Sequence, residues 1–221
     1  MCGRFVIAAD AQGLQRAFDL ATLPNVPHRY NLAPTQEAPV ITNEAPREIQ
    51  MFRWGLVPSW AKDISIGAKL INARCEGLED KPSFRAAFRR RRCLVPVSGF
   101  YEWQAQAGGK QPMYIFLPQQ PVFALAGLWE VWRGPDERML HSFTILTTDA
   151  NAFMAPIHNR MPVIVQPEDY ALWLTPGEAP AGALRALLEP MNAEEMAAYP
   201  VSKRVNRPAE DDASLIIPLA G

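Results

Sequence analysis

The second residue of this chain carries the most chemistry in the least space. The sequence opens Met1-Cys2-Gly3-Arg4-Phe5. Removal of Met1, which the small Cys2 side chain favours, would leave a thiol and a free α-amine on adjacent carbons. An α-amine titrates at about 7.7–8.0, against about 10.4 for a lysine, so far more of it is neutral and nucleophilic at pH 7. A 1,2-aminothiol condenses with an aldehyde to a Schiff base, and the sulfur then closes a five-membered thiazolidine. The same residue can also attack an amide carbonyl. A third reading makes Cys2 a small apolar residue buried in a terminal strand, where free cysteines are usually inert.

One pattern recurs three times: a polar or reactive residue, a spacer and an arginine. It appears as Cys2-Gly3-Arg4, as Asn72-Ala73-Arg74 and as His158-Asn159-Arg160. In an extended chain, residues i and i+2 share a face about 6–7 Å apart. If the three strands converge, a reactive cluster is ringed by guanidinium groups, which suits a substrate carrying several phosphates. Nearby cations would also keep the α-amine neutral and favour the thiolate. The competing reading is three unrelated surface arginines.

Glu102 lies among aromatics in Gly99-Phe100-Tyr101-Glu102-Trp103. A desolvated carboxyl has a raised pKa and can pass protons near neutrality. Schiff-base formation needs such a group, first to expel water and then to recover the proton. Glu102 can equally be a strand residue on a solvated face. His158, one of three histidines, is a second acid/base candidate. No spacing of Cys and His marks a metal site, and no cofactor is expected. Cys75 and Cys93 read as isolated, buried thiols. Arg89–Arg92 end the helix that begins near Ser83; Arg85, Arg89 and Arg92 share a stripe, Arg90 and Arg91 read as a solvated helix end, and Arg85 is the better phosphate contact. Trp54 fits a core. Trp60, in a Pro-Ser-Trp loop, can stack on a nucleobase.

The elements that must position these groups follow from composition and spacing. A chain of 221 residues that is 48% hydrophobic can bury a substantial core. Its net charge of −1 excludes a globally basic protein, so any polyanion must meet a local patch. Three cysteines make no disulfide framework. No apolar run suggests a signal peptide or a membrane span, so a cytoplasmic protein is expected. The 21 prolines, nearly twice the usual share, favour many short strands. Strands are expected at 4–8, 69–74, 93–97, 99–103, 111–117, 122–132, 140–147 and 161–165. A hairpin over 38–42 and 48–54 turns near Asn43-Glu44. Short helices are expected after Asp10, from Ser83 to about Arg91, and over 149–155, 167–174, 182–188 and 193–197. Residues 199–202 and 215–217 would close the sheet edge. Strands and helices do not alternate, which gives an α+β fold: one domain over 1–221, with a mostly antiparallel, barrel-like sheet and peripheral short helices.

Six motifs in register complete the reading. Met1-Cys2-Gly3-Arg4-Phe5, Tyr30-Asn31-Leu32-Ala33-Pro34, Trp54-Gly55-Leu56-Val57-Pro58, Ile71-Asn72-Ala73-Arg74, Gly99-Phe100-Tyr101-Glu102-Trp103 and His158-Asn159-Arg160-Met161-Pro162 resemble the SOS response-associated peptidase family. The resemblance implies an abasic-site-processing protein. In it, Cys2 captures the ring-opened sugar aldehyde of an abasic site in single-stranded DNA as a thiazolidine. It implies that Asn72 orients the Cys2 amine, that Glu102 handles protons, and that His158 assists ring opening and crosslink reversal. Arg74 and Arg160 would grip phosphates, with Arg4, Trp60 and Arg85 as further DNA contacts. A monomer is expected, cytoplasmic and nucleoid-associated when on DNA, with possible lyase activity and autoproteolytic removal of Met1. Two departures from the family pattern stand out: Ala61 where some members carry a second aromatic, and the acidic stretch Ala209-Glu210-Asp211-Asp212. A cysteine peptidase or amide hydrolase using Cys2 is the alternative enzyme. A non-catalytic DNA-binding module is the alternative without chemistry.

Overall fold

Short, largely buried strands separated by proline-rich turns dominate the computed structural model, which describes residues 2–219. In chain order the elements are β1 (Phe5–Ile7), α1 (Ala11–Phe18), β2 (Arg29–Leu32), β3 (Glu37–Thr42), β4 (Ala45–Trp54), β5 (Asn72–Arg74) and α2 (Arg85–Arg90). They continue with β6 (Arg92–Val97), β7 (Gly99–Gln106), β8 (Gly109–Phe116), β9 (Phe123–Arg133) and β10 (Met139–Asp149). Last come β11 (Arg160–Pro162), β12 (Ile164–Val165), α3 (Tyr170–Trp173), α4 (Ala181–Ala186) and β13 (Ala197–Pro200).

Five strands close on themselves. β10 pairs β4, β4 pairs β3, β3 pairs β6, β6 pairs β9, and β9 returns to β10. Among the described residues, only the β4–β10 and β5–β10 links are parallel. Closure removes the exposed edges that an open sheet would leave. A second sheet runs in the order β13-β8-β7-β1-β2. This is the expected α+β architecture with a barrel-like, mostly antiparallel sheet. Alternation along the strands sorts side chains into separate cores. Phe143 and Ile145 of β10 pack with Cys2, Phe5 and Trp54. Leu146 points the other way, onto a cluster with Phe84, Phe88 and Trp173 from the helices.

The clearest agreements are local. Asp10 caps α1, its Oδ1 accepting from Gly13 N at 2.7 Å, a contact worth about 1 kcal/mol. The β3–β4 hairpin turns where expected. Several elements differ. The strand expected over 69–74 is a 3-10 turn over Ile64–Lys69 followed by the short β5. The helix expected over 149–155 does not form: Asp149 ends β10 and residues 152–157 make successive turns, with Asn151 Oδ1 accepting from Met154 N at 2.8 Å. The strand expected over 161–165 is split at Val163, where the chain leaves β10 for β9. Residues 215–217 do not close an edge. Ala213–Ile216 is a 3-10 turn capped by Asp212, a local hydrogen bond that competes with strand pairing. Ser83 is not the cap of α2, whose N-cap is Phe84 with no side-chain hydrogen bond.

Arg92, expected on the helix stripe with Arg85 and Arg89, lies beyond the helix. It opens β6, fully buried, and its guanidinium donates to the carbonyls of Phe88, Arg89, Trp173, Thr175 and Gly177. The acidic stretch has a structural task. Asp211 accepts from the backbone of Tyr30 and Asn31 and pairs with Arg29. Asn31 Nδ2 donates in return to the carbonyls of Val205, Arg207 and Glu210. The Tyr30-Asn31 motif thus fastens the C-terminal segment to β2.

Candidate active site

The site forms where β10 changes neighbours. β9 accompanies β10 as far as Ile145, and β11 pairs it from Thr147 to Asp149. On the other side, β4 pairs Ser142 and Phe143, and β5 then takes over from Ile145 to Thr147. Gly55 makes the handover possible. Its φ of 120° is one that L side chains rarely adopt, and a Cβ there would lie 2.5 Å from Gly67 O. The two polar-spacer-arginine segments on β5 and β11 are thereby brought to one end of one strand.

Cys2 enters from the second sheet. Phe5 pairs with Phe100, and Tyr101 N donates to Arg4 O at 3.0 Å. Glu102 is two residues beyond Phe100, so it shares that inward face. It is 2% exposed, and its negative charge acts on Cys2. Asn72 Nδ2 donates to the Cys2 carbonyl at 2.8 Å. The Asn72 Oδ1 is buried and has no hydrogen-bond partner among the described residues. Cys2, Asn72 and Glu102 are therefore assembled from three separate segments.

Trp54 supports this assembly from beneath. It is fully buried, with its ring centroid 4.9 Å from that of Phe5. Its Nε1 donates to Ile71 O at 2.9 Å, one residue before Asn72. One indole thus fixes the strand after Cys2 and the segment before Asn72. The alternation expected in β5 holds: Ala73 is buried and Arg74 exposed. His158 sits in the turn before β11, and its Nδ1 accepts from Arg160 N at 3.0 Å. In a neutral ring, the proton then resides on Nε2.

The Cys2 thiol departs from expectation. The arginines do not favour the thiolate. Burial, and then the Glu102 charge, push the thiol well above the ordinary range. A neutral thiol is the resting form. Arg4 is half-buried, and burial lowers its pKa. Its Nη1 donates to Gly3 O at 3.3 Å, and its Nε is buried without a partner.

Arg160 is also unlike the exposed guanidinium expected. It is buried beside two carboxylates, Glu76 and Asp149. Neither carboxylate stands out in the sequence. Trp60 is 58% exposed and Arg85 is exposed at the start of α2. Among the described residues, no hydrogen bond or strand pairing ties either side chain to Cys2. No cluster of three or more His, Cys, Asp or Glu side chains is placed to hold a metal ion among the described residues. No helix there is long and apolar enough to cross a membrane.

A closed barrel flanked by a second sheet, with Cys2 ahead of its first strand, an asparagine on the Cys2 carbonyl and a buried glutamate, defines a recognisable class. The model of the SOS response associated peptidase (SRAP) family matches residues 1–208, and the chain belongs to that family. It is 41% identical to abasic site processing protein YoqW of Bacillus subtilis (strain 168), over 98% of this chain and 99% of the relative. It is 31% identical to abasic site processing protein HMCES of Gallus gallus, over 86% of this chain and 66% of that one. A crystal structure of a Bacteroides thetaiotaomicron protein superposes with a TM-score of 0.88 at 27% identity, covering 99% of this chain and 100% of the other.

Proposed function

We propose that this chain acts in the response to DNA damage, capturing abasic sites in single-stranded DNA through Cys2. The observation that carries the proposal is the Asn72 side chain. Its amide donates to the Cys2 carbonyl, while its buried oxygen lacks a donor. An α-amine freed by loss of Met1 offers N–H groups beside that carbonyl, and would be oriented by the same amide. The Cys2 thiol is held neutral, so the amine attacks first.

The steps balance within the site. The amine adds to the aldehyde carbon of the ring-opened sugar. Glu102 takes the proton that the α-ammonium group releases as the amine is freed, and in that acid form it protonates the departing hydroxyl, so that water leaves as the Schiff base forms. The thiol then adds to the imine carbon, and its proton returns to the Glu102 carboxylate. The product is a thiazolidine and one water. His158 carries protons for ring opening of the sugar and for the reverse reaction. Arg74, exposed on β5, and Arg4, half-buried two residues from Cys2, meet phosphates. Trp60 and Arg85 offer further contacts along the strand. The Schiff base also opens a route to β-elimination, and hence lyase activity. Autoproteolysis by Cys2 would remove Met1, and the protein works as a monomer.

A peptidase acting on other chains needs the Cys2 thiolate afresh in every turnover, which burial and Glu102 oppose, whereas removal of Met1 is a single event. The test is incubation with single-stranded DNA carrying one abasic site. A denaturation-resistant adduct is expected with the wild type and none of equal stability with Cys2→Ala. Absence of the wild-type adduct sinks the proposal.

A further inference from the structure

We propose that Asp149 gates the phosphate contact of Arg160: its carboxylate occupies the N–H that a substrate phosphate must take, and the strand binds Arg160 by displacing it. This rests on the reading of Arg160 as a DNA-facing residue.

The hydrogen-bond geometry leaves the guanidinium no spare Nη donor. Nη1 donates to Glu76 Oε1 at 2.5 Å and to Asp149 Oδ1 at 2.6 Å. Nη2 donates to Glu76 Oε2 at 3.0 Å and to Thr147 O at 2.5 Å. These use all four Nη hydrogens, and Nε is buried without a partner. An incoming phosphate oxygen therefore has to replace an acceptor already present.

The three acceptors are not equally replaceable. The Thr147 carbonyl belongs to the β10 backbone. Glu76 holds two parallel bonds, the fork geometry in which Arg is most firmly bound. Asp149 holds one bond, and its side chain is 81% exposed, against 54% for Glu76. Asp149 is directly opposite Arg160 in the β10–β11 ladder, while Arg74 lies beside Thr147. A strand phosphate that displaces Asp149 thus gains Arg74 as a neighbour. Glu76 keeps the guanidinium in place during the exchange.

The gate is tested on binding without chemistry, using an undamaged oligothymidylate and the full chain. Asp149→Asn should tighten binding about three- to tenfold, the scale of one charge-assisted contact partly open to solvent. The log–log salt slope should stay close to the wild type's, because Arg160 neutralises the same phosphate once Asp149 is displaced or absent. Asp149→Ser should reproduce both results, because only loss of the carboxylate matters. In an Arg160→Ala background, Asp149→Asn should give no gain. Unchanged or weaker binding in both Asp149 variants overturns the gate. So does an equal gain in the Arg160→Ala background, which would assign the effect to the general field. The wild-type adduct assay is separate. If that adduct is absent while the Arg160-dependent gain is present, the gate stands and the abasic-site reading falls.

Discussion

Replacing Asn72 by alanine tests how the site is held together. The substitution removes the 2.8 Å hydrogen bond to the Cys2 carbonyl. It leaves that carbonyl in a buried setting with one partner fewer, which costs about 1–3 kcal/mol. If the bond is present throughout the reaction and its loss misplaces the nucleophile, the whole cost falls on the barrier. At about 1.36 kcal/mol per decade, adduct formation should slow roughly 5- to 150-fold. The assay is a quenched time course on a single-stranded oligonucleotide with one abasic site, at saturating protein and 25 °C. Thermal unfolding is followed in parallel, since a chain of this size moves about 2–4 °C per kcal/mol. Asn72→Asp should slow capture at least as much, because it keeps an acceptor, loses the donor and adds a negative charge. A rate within twofold of wild type, in a protein that remains folded at 25 °C, would refute the positioning role.

Arg74→Ala removes an exposed side chain, so stability should change by less than about 0.5 kcal/mol, while the salt slope of single-strand binding falls by about 0.7. The thiols give a pH dependence. Cys2 and Cys93 are pushed up beyond the usual range by burial, and Cys75 to about 12. The unfolded chain therefore releases these protons first as the pH rises. Stability should be unaffected by them below about pH 8 and fall above about pH 9, by up to about 1.4 kcal/mol per pH unit for each thiol. Urea midpoints at pH 7, 9 and 10 measure this, and a flat profile contradicts it. Arg92→Met should destabilise the fold by more than about 3 kcal/mol, because five carbonyls lose their donor in a buried setting. Chemical denaturation checks it, and a loss under about 1 kcal/mol would show that those carbonyls find other partners.

How much was legible in the sequence depended on whether the signal was local. Apolar runs bounded by turn signals marked β3, β9 and β10, because both signals lie within or next to the strand itself. The Asp10 cap was equally local. The division of 161–165 was not, since Val163 lies between two different partner strands that only the closed barrel supplies. The 3-10 turn at Ala213–Ile216 was missed because the capping hydrogen bond of Asp212 outweighs the apolar character of Leu215 and Ile216. For the site, the two-residue spacing of Asn72 and Arg74 correctly implied a shared face. The same spacing misled at Arg160, whose burial depends on Glu76 and Asp149, 84 and 11 residues away in the chain. Glu76 could have been suspected as the carboxylate two residues beyond Arg74. Nothing local marks Asp149. The raised Cys2 thiol was also invisible, because it arises from the packing of a second sheet over the first.

The central claim is that the amine and thiol of residue 2 together capture an aldehyde, and intact mass spectrometry tests it most directly. The purified protein should lack the mass of Met1. After exposure to abasic single-stranded DNA, it should gain the mass of the oligonucleotide less one water. Cys2→Ser should form no adduct that survives denaturation without a reductant. A protein that retains Met1 yet forms the same stable adduct, or a Cys2→Ser variant that matches the wild type, would contradict the account.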